Sequence, residues 1–173
     1  MTGMLADERD LKFVLFDLLG IQDLADHPRF EHVDRETMEM LVDEALKFSE
    51  QRLFPLNTAG DKTGAQFDNG NVRAVPGMRE AYQEFMQSGW LTMSDSPDIG
   101  GQGLPEIIKF ATHELFLAAC FPFMCYVNLT HDAAKLIELY GDDAQKATYM
   151  TRMYGGDWTG TMCLSEPGAG SDV

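Results

Sequence analysis

The sequence has 173 residues, 45% of them apolar, with 13 basic against 28 acidic side chains and a formal charge of −15. That length suits one ordinary domain, and that apolar share can build a sizeable core, which argues against a disordered chain. The acidic balance argues against nucleic acid and anionic membrane surfaces as partners, and the acids are scattered along helical stretches as solvated faces.

The first ten residues, MTGMLADERD, have no basic region and no long apolar run, so no secretory signal is visible. Leu11 to Gly20, LKFVLFDLLG, reads as a short helix closed by glycine, apolar nearly all round and therefore expected to be buried. Asp34 is the expected N-cap of a second helix, which places Met38, Leu41, Val42, Ala45, Leu46 and Leu53 on one face and is expected to end at Pro55. Residues 56–75 are the least regular, either a linker or a surface loop, with Asn69-Gly70 as the tip of a small hairpin.

Pro76 suits the first turn of the next helix, which carries Met78, Ala81, Tyr82, Phe85 and Met86 and stops at Gly89. A glycine-rich loop, WLTMSDSPDIGGQGLP, follows. Pro105 opens a further helix, and Pro122 restarts the chain into one closed by Gly141. Asp142 caps a last short helix ended by Gly155-Gly156. From Asp157 the helical period is lost, and DWTGTMCLSE reads as a strand. The expectation is about six helices followed by the first strand of something further, because a lone strand at a chain end lacks a partner for its backbone.

Several motifs carry nothing. Gly101-x-Gly103 has Glu106 where a dinucleotide fingerprint needs its third glycine, and no strand precedes it. His113-Glu114 lacks the second histidine of a zinc-protease helix, since position 117 is Leu. His27 and His32 share no helix face, and Asn128-Leu129-Thr130 matches a glycosylation acceptor by chance. Cys120, Cys125 and Cys163 form no C-x-x-C pair, so neither a disulfide framework nor a zinc site is signalled. No window is long and apolar enough for a membrane helix, and a soluble protein of a reducing compartment, the cytoplasm, is the expectation. The eleven Met and eleven Phe serve either as core filler or as a pocket for a flexible apolar ligand.

The closing stretch, Ser165-Glu166-Pro167-Gly168-Ala169-Gly170-Ser171-Asp172, brings backbone amides, two hydroxyls and two carboxylates into one tight corner. Glycine permits positive φ and close approach of a ligand, and successive amides can form an anion-binding concavity. The stretch also lacks the Lys of a phosphate-binding P-loop. From its residues alone it is either a structural turn or a cofactor cradle.

MCLSEPGAGSD resembles the first signature of the flavin-dependent acyl-CoA dehydrogenases. The resemblance extends upstream through GGQGLP, LIELYGDDAQKATYMTRMYGGDWTGTMCLSEP and FVLFDLL, in the manner of the large subgroup resembling 3-(methylthio)propanoyl-CoA dehydrogenase. It implies a mainly α chain: an N-terminal helical addition (1–33), the helical bundle (34–156), and the first strand and turn of an incomplete middle β-domain (157–173). It also implies FAD. Met162, Cys163, Leu164 and Ser165 would run beside the flavin ring, with Ser165 hydrogen-bonding flavin N5. Gly170 and Ser171 would approach the pyrophosphate, and Ser171 would touch the acyl-CoA. Met162 stands where many relatives carry an aromatic residue, a departure that changes the packing the resemblance implies beside the ring.

The implied reaction is α,β-dehydrogenation of an acyl-CoA, with electrons passed to an electron-transfer flavoprotein and the complete protein forming a homo-oligomer. The family's catalytic glutamate lies beyond Val173, and none of Glu106, Glu114, Glu138 or Glu166 is assigned as base. The chain is therefore expected to be the front portion of a dehydrogenase and inactive by itself. Two other readings stand beside it: a non-catalytic helical module with a vestigial flavin turn, and an acyl-CoA oxidase-like enzyme. Phe121 to Thr130 is either core or part of an acyl pocket.

Overall fold

Local signals start and stop the helices, and tertiary burial decides which faces count. A computed structural model describes residues 5–172. Helix α1 (Glu8–Lys12) is capped by Asp7 and continues as a π turn over Phe13–Leu18, with Gly20 left-handed at φ 62°. The burial expected all round this stretch is found on one face: Leu15 and Phe16 are buried, while Phe13, Val14, Leu18 and Leu19 are exposed. Lys12 ties α1 to the next helix through Asp43 at 2.5 Å. Burial pulls the Lys12 ammonium down, but hydrogen bonds to Asp43 and Glu8 outweigh it, and its pKa is raised.

Helix α2 (Arg35–Phe48) begins where the Asp34 carboxylate accepts the Thr37 amide at 2.8 Å. It buries Met38, Val42, Ala45 and Phe48, with Leu41 and Leu46 half-buried. The expected stop at Pro55 does not occur. The chain passes through a π turn (Ser49–Leu53) into α3 (Phe54–Thr63), with Pro55 in its first turn. The Phe54 amide reaches back to the Ser49 carbonyl. Widening the turn immediately before the proline accommodates a ring that would otherwise clash with a carbonyl of the preceding turn.

Strands β1 (Gln66–Asp68) and β2 (Asn71–Arg73) pair antiparallel, with Phe67 opposite Val72. Asn69 (φ 48°) and Gly70 (φ 82°) form the two-residue tip that the Asn-Gly pair signals. Pro76 sits in the turn before α4 (Met78–Gln87) rather than in its first turn, because Gly77 takes the cap position at φ 89°. Gly89 (φ 75°) ends α4.

Helices α5 (Glu106–Ala119) and α6 (Phe121–Tyr140) follow, and α5 packs on α2. The core between them is aromatic: Phe85 meets Phe116 and Phe123 edge to face at 5.1 and 5.6 Å, and Trp90 meets Phe116 at 5.2 Å. The glycine-rich loop closes on its own backbone, Gly103 to Asp95 at 2.9 Å and Leu104 to Met93 at 2.9 Å. It buries Trp90, Leu91 and Met93.

The chain divides within α6 into two units, one ending at Met124 and the other beginning at Cys125. The second unit holds the rest of α6, then α7 (Asp143–Gln145), a π turn (Lys146–Met150) and α8 (Thr151–Tyr154). Asp142 and Gln145 cap α7 reciprocally. The strand expected from Asp157 is not formed among the described residues. Among the described residues that segment makes no ladder, and no strand lies beside it to take its amides and carbonyls. The mainly α class stands.

Candidate functional site

The signature stretch leaves the helical part at one well-held point. The amides of Asp157 and Trp158 both donate to the Arg152 carbonyl, at 2.9 and 3.2 Å. The Arg152 guanidinium lies 4.5 Å over the Trp158 ring, and Tyr149 stands beside that ring at 5.9 Å. Two residues later the Gly160 amide donates to Thr130 Oγ1 at 3.1 Å.

Beyond Gly160 the backbone is open. Among the described residues, no hydrogen bond engages the amides or carbonyls of Thr161 to Ser165. Met162, Cys163, Leu164 and Ser165 are all exposed, Met162 by 47% and Leu164 by 57%. Two apolar side chains facing water beside unpaired peptide groups give an edge that a planar heterocycle could both stack on and hydrogen-bond.

The tight corner does form. Glu166 and Ala169 exchange two backbone hydrogen bonds, at 2.8 and 3.1 Å, around Pro167-Gly168. Gly168 and Gly170 do not use positive φ, contrary to the freedom expected of them. They leave space instead: a Cβ at either would meet nothing within 4 Å. Gly170 and Ser171 follow the corner, exposed, with amides unengaged among the described residues. The residues present thus fit both parts of a dinucleotide cofactor, an open amide corner for a pyrophosphate and an unpaired edge for a flavin ring.

The carboxylates elsewhere are already occupied or far from such an edge in sequence. Glu138 accepts from the Tyr154 hydroxyl at 2.6 Å and from Lys135 at 3.0 Å. Glu106 lies 3.8 Å from Lys109, and Glu114 is exposed. Among the described residues no group of His, Cys, Asp or Glu is arranged to hold a metal, and no helix is long and apolar enough to cross a membrane. In Phe121 to Thr130, Phe123, Met124, Val127 and Thr130 are buried while Phe121 and Tyr126 are exposed, which is the pattern of a helix with one core face.

Sequence reasoning missed the role of Thr130, which it met as the end of a chance acceptor motif and of the Phe121 to Thr130 stretch. Its hydroxyl is buried and bonded at both ends, to the Tyr126 carbonyl (2.6 Å) and from the Gly160 amide. The residue that uses it lies thirty positions away, so no local pattern signals the pair.

The sequence profile of the acyl-CoA dehydrogenase N-terminal domain matches residues 35–157. The chain is 33% identical over 168 residues to 3-methylmercaptopropionyl-CoA dehydrogenase of Ruegeria pomeroyi, covering 97% of this chain and 29% of that protein. It is 27% identical over 175 residues to the broad-specificity linear acyl-CoA dehydrogenase FadE5 of Mycobacterium tuberculosis, covering 28% of it. A butyryl-CoA dehydrogenase of Syntrophomonas wolfei is 26% identical over 169 residues. The chain spans less than a third of the length of these curated relatives.

Proposed function

The chain belongs to the acyl-CoA dehydrogenase family, and on that premise we propose that it is the N-terminal portion of an FAD-dependent enzyme that oxidises an acyl-CoA between its α and β carbons. The observation that carries this is the exposed, unpaired edge from Met162 to Ser165 running into the open corner at Gly170-Ser171. FAD, when bound, supplies the hydride-accepting chemistry. The chain's own part is to hold and orient. Backbone groups of Met162 to Ser165 take the polar rim of the ring, and the Ser165 hydroxyl donates toward its N5. Gly170 and Ser171 amides receive the pyrophosphate, and Ser171 also contacts the acyl-CoA.

The domain division that accompanies this reading is 1–33, 34–156 and 157–173. The α-proton is removed by a carboxylate outside these residues, so the 173-residue chain alone is inactive and holds FAD weakly or not at all. Electrons leave to an electron-transfer flavoprotein, the complete protein is a cytoplasmic homo-oligomer, and the family relationship supports the acyl-CoA substrate.

The test is the visible spectrum of the polypeptide purified with this chain at its N-terminal end, read with its intact mass. A mass well above 19.3 kDa, a flavin band, and bleaching of that band by an acyl-CoA are expected. A longer polypeptide that is colourless and stays so after FAD addition would overturn the proposal.

A further inference from the structure

We propose that Thr130 is a positioning residue for the flavin site, fixing through Gly160 the point from which the cofactor-holding segment departs. This rests on the FAD reading above. Thr130 is fully buried on α6. Its single proton is committed to the Tyr126 carbonyl one turn back, at 2.6 Å. The hydroxyl is thereby held in one orientation, with a lone pair left for the Gly160 amide at 3.1 Å.

Gly160 is fitted to that spot by space and not by φ. A Cβ there would stand 2.5 Å from Met153 Cε, 2.7 Å from Ala133 Cβ and 3.3 Å from the Leu129 carbonyl. The backbone therefore lies directly on the α6 surface beside α8, at a distance no larger residue allows. Upstream, the paired amides of Asp157 and Trp158 on Arg152 hold the approach.

Downstream, nothing holds the chain among the described residues until the Glu166–Ala169 corner. Met162 is two residues from Gly160, a reach of roughly 7 Å at most. A shift at Gly160 therefore reaches the residues that would line the flavin. Displacements of about 1 Å at a site can cost two orders of magnitude in function. The hydrogen bond to Thr130 is the last fixed contact before that segment.

The test uses the same longer polypeptide, with Thr130→Val, which keeps shape and removes the hydroxyl, and Thr130→Ser, which restores it. Hydrogen exchange over 157–165 and the FAD dissociation constant are read together, with Tm as a check on folding. The Gly160 amide is expected to exchange about 3- to 10-fold faster in the Val variant and to recover in the Ser variant, with FAD affinity moving in parallel. Unchanged exchange in the Val variant overturns the proposal. Faster exchange with unchanged FAD affinity also overturns it, leaving a purely structural tether while the FAD reading survives. Failure of the unmutated polypeptide to hold FAD removes the FAD reading itself, and the positioning role with it. Should the Val variant not fold, the unmutated protein decides: protection of the Gly160 amide supports the fixed point, and exchange of that amide at the rate of a free one overturns it.

Discussion

Phe85 on α4 and Phe116 on α5 meet edge to face, with ring centroids 5.1 Å apart and planes at 74°. Both are fully buried, and Phe48, Trp90 and Phe123 complete the cluster around them. Residues far apart in sequence thus share one apolar centre, and its loss is felt by α2, α4 and α5 together.

Phe116→Ala is expected to destabilise the chain by about 3–5 kcal/mol through lost transfer energy and an unfilled cavity. A double-mutant cycle with Phe85→Ala should show a coupling of about 0.5–1.5 kcal/mol beyond the separate losses. Denaturant unfolding of the four proteins measures both. Strict additivity would mean that the edge-to-face geometry adds nothing to burial.

Gly101 and Gly103 are expected to resist substitution for different reasons. At Gly101 a Cβ would lie 2.2 Å from the Asp95 carbonyl oxygen and 2.8 Å from that of Thr92, so Gly101→Ala forces backbone apart and costs about 1–3 kcal/mol or more. At Gly103 the nearest atom is 3.5 Å away but φ is 65°, and Gly103→Ala costs about 1–2 kcal/mol as conformational strain. Gly103→Asn should be the milder of two changes at that position, since Asn tolerates the left-handed region. Thermal melts of the three variants test the ordering.

Asp34 caps α2, and its hydrogen bond with Thr37 holds its carboxyl below the ordinary value of 3.8. A depressed folded-state pKa means the stabilisation is present above that ordinary value and is lost as pH falls through the depressed one. Asn caps about as well but does not titrate in this range. Asp34→Asn should therefore melt close to the unmutated chain at neutral pH. Below about pH 4 it should lose less of its Tm than the unmutated chain does. Parallel pH dependence of the two proteins would count against the cap as the cause.

The three thiols are graded by burial: Cys163 exposed, Cys125 half-buried, Cys120 buried. A small thiol reagent is expected to label Cys163 first in the native protein, with Cys120 reacting only after unfolding. In the flavin-loaded longer polypeptide Cys163 should be slowed by at least about 10-fold, as a group covered by ligand. Equal labelling with and without FAD would place the cofactor away from this edge.

Most of the secondary structure was legible in local chemistry. Asp34 and Asp142 as caps, Asn69-Gly70 as a hairpin tip, Gly20 and Gly89 as stops and Pro105 as a helix opening act through side-chain hydrogen bonds and φ preferences within a few residues of themselves. The signature from Met162 to Asp172 was legible in the same way, as a contiguous motif, and so was the family. Tertiary structure decided the rest. Pro55 continues a helix because a π turn opens before it. One face of Phe13–Leu18 is buried and the other is not: Leu15 and Phe16 are covered, while Phe13, Val14 and Leu18 face solvent. Among the described residues the stretch after Asp157 forms no strand, because a strand is a property of a pair. Thr130 and Gly160 meet across thirty residues through a buried hydroxyl and a missing Cβ. Such contacts depend on the distance between backbones once folded, and no periodicity or local propensity carries that information.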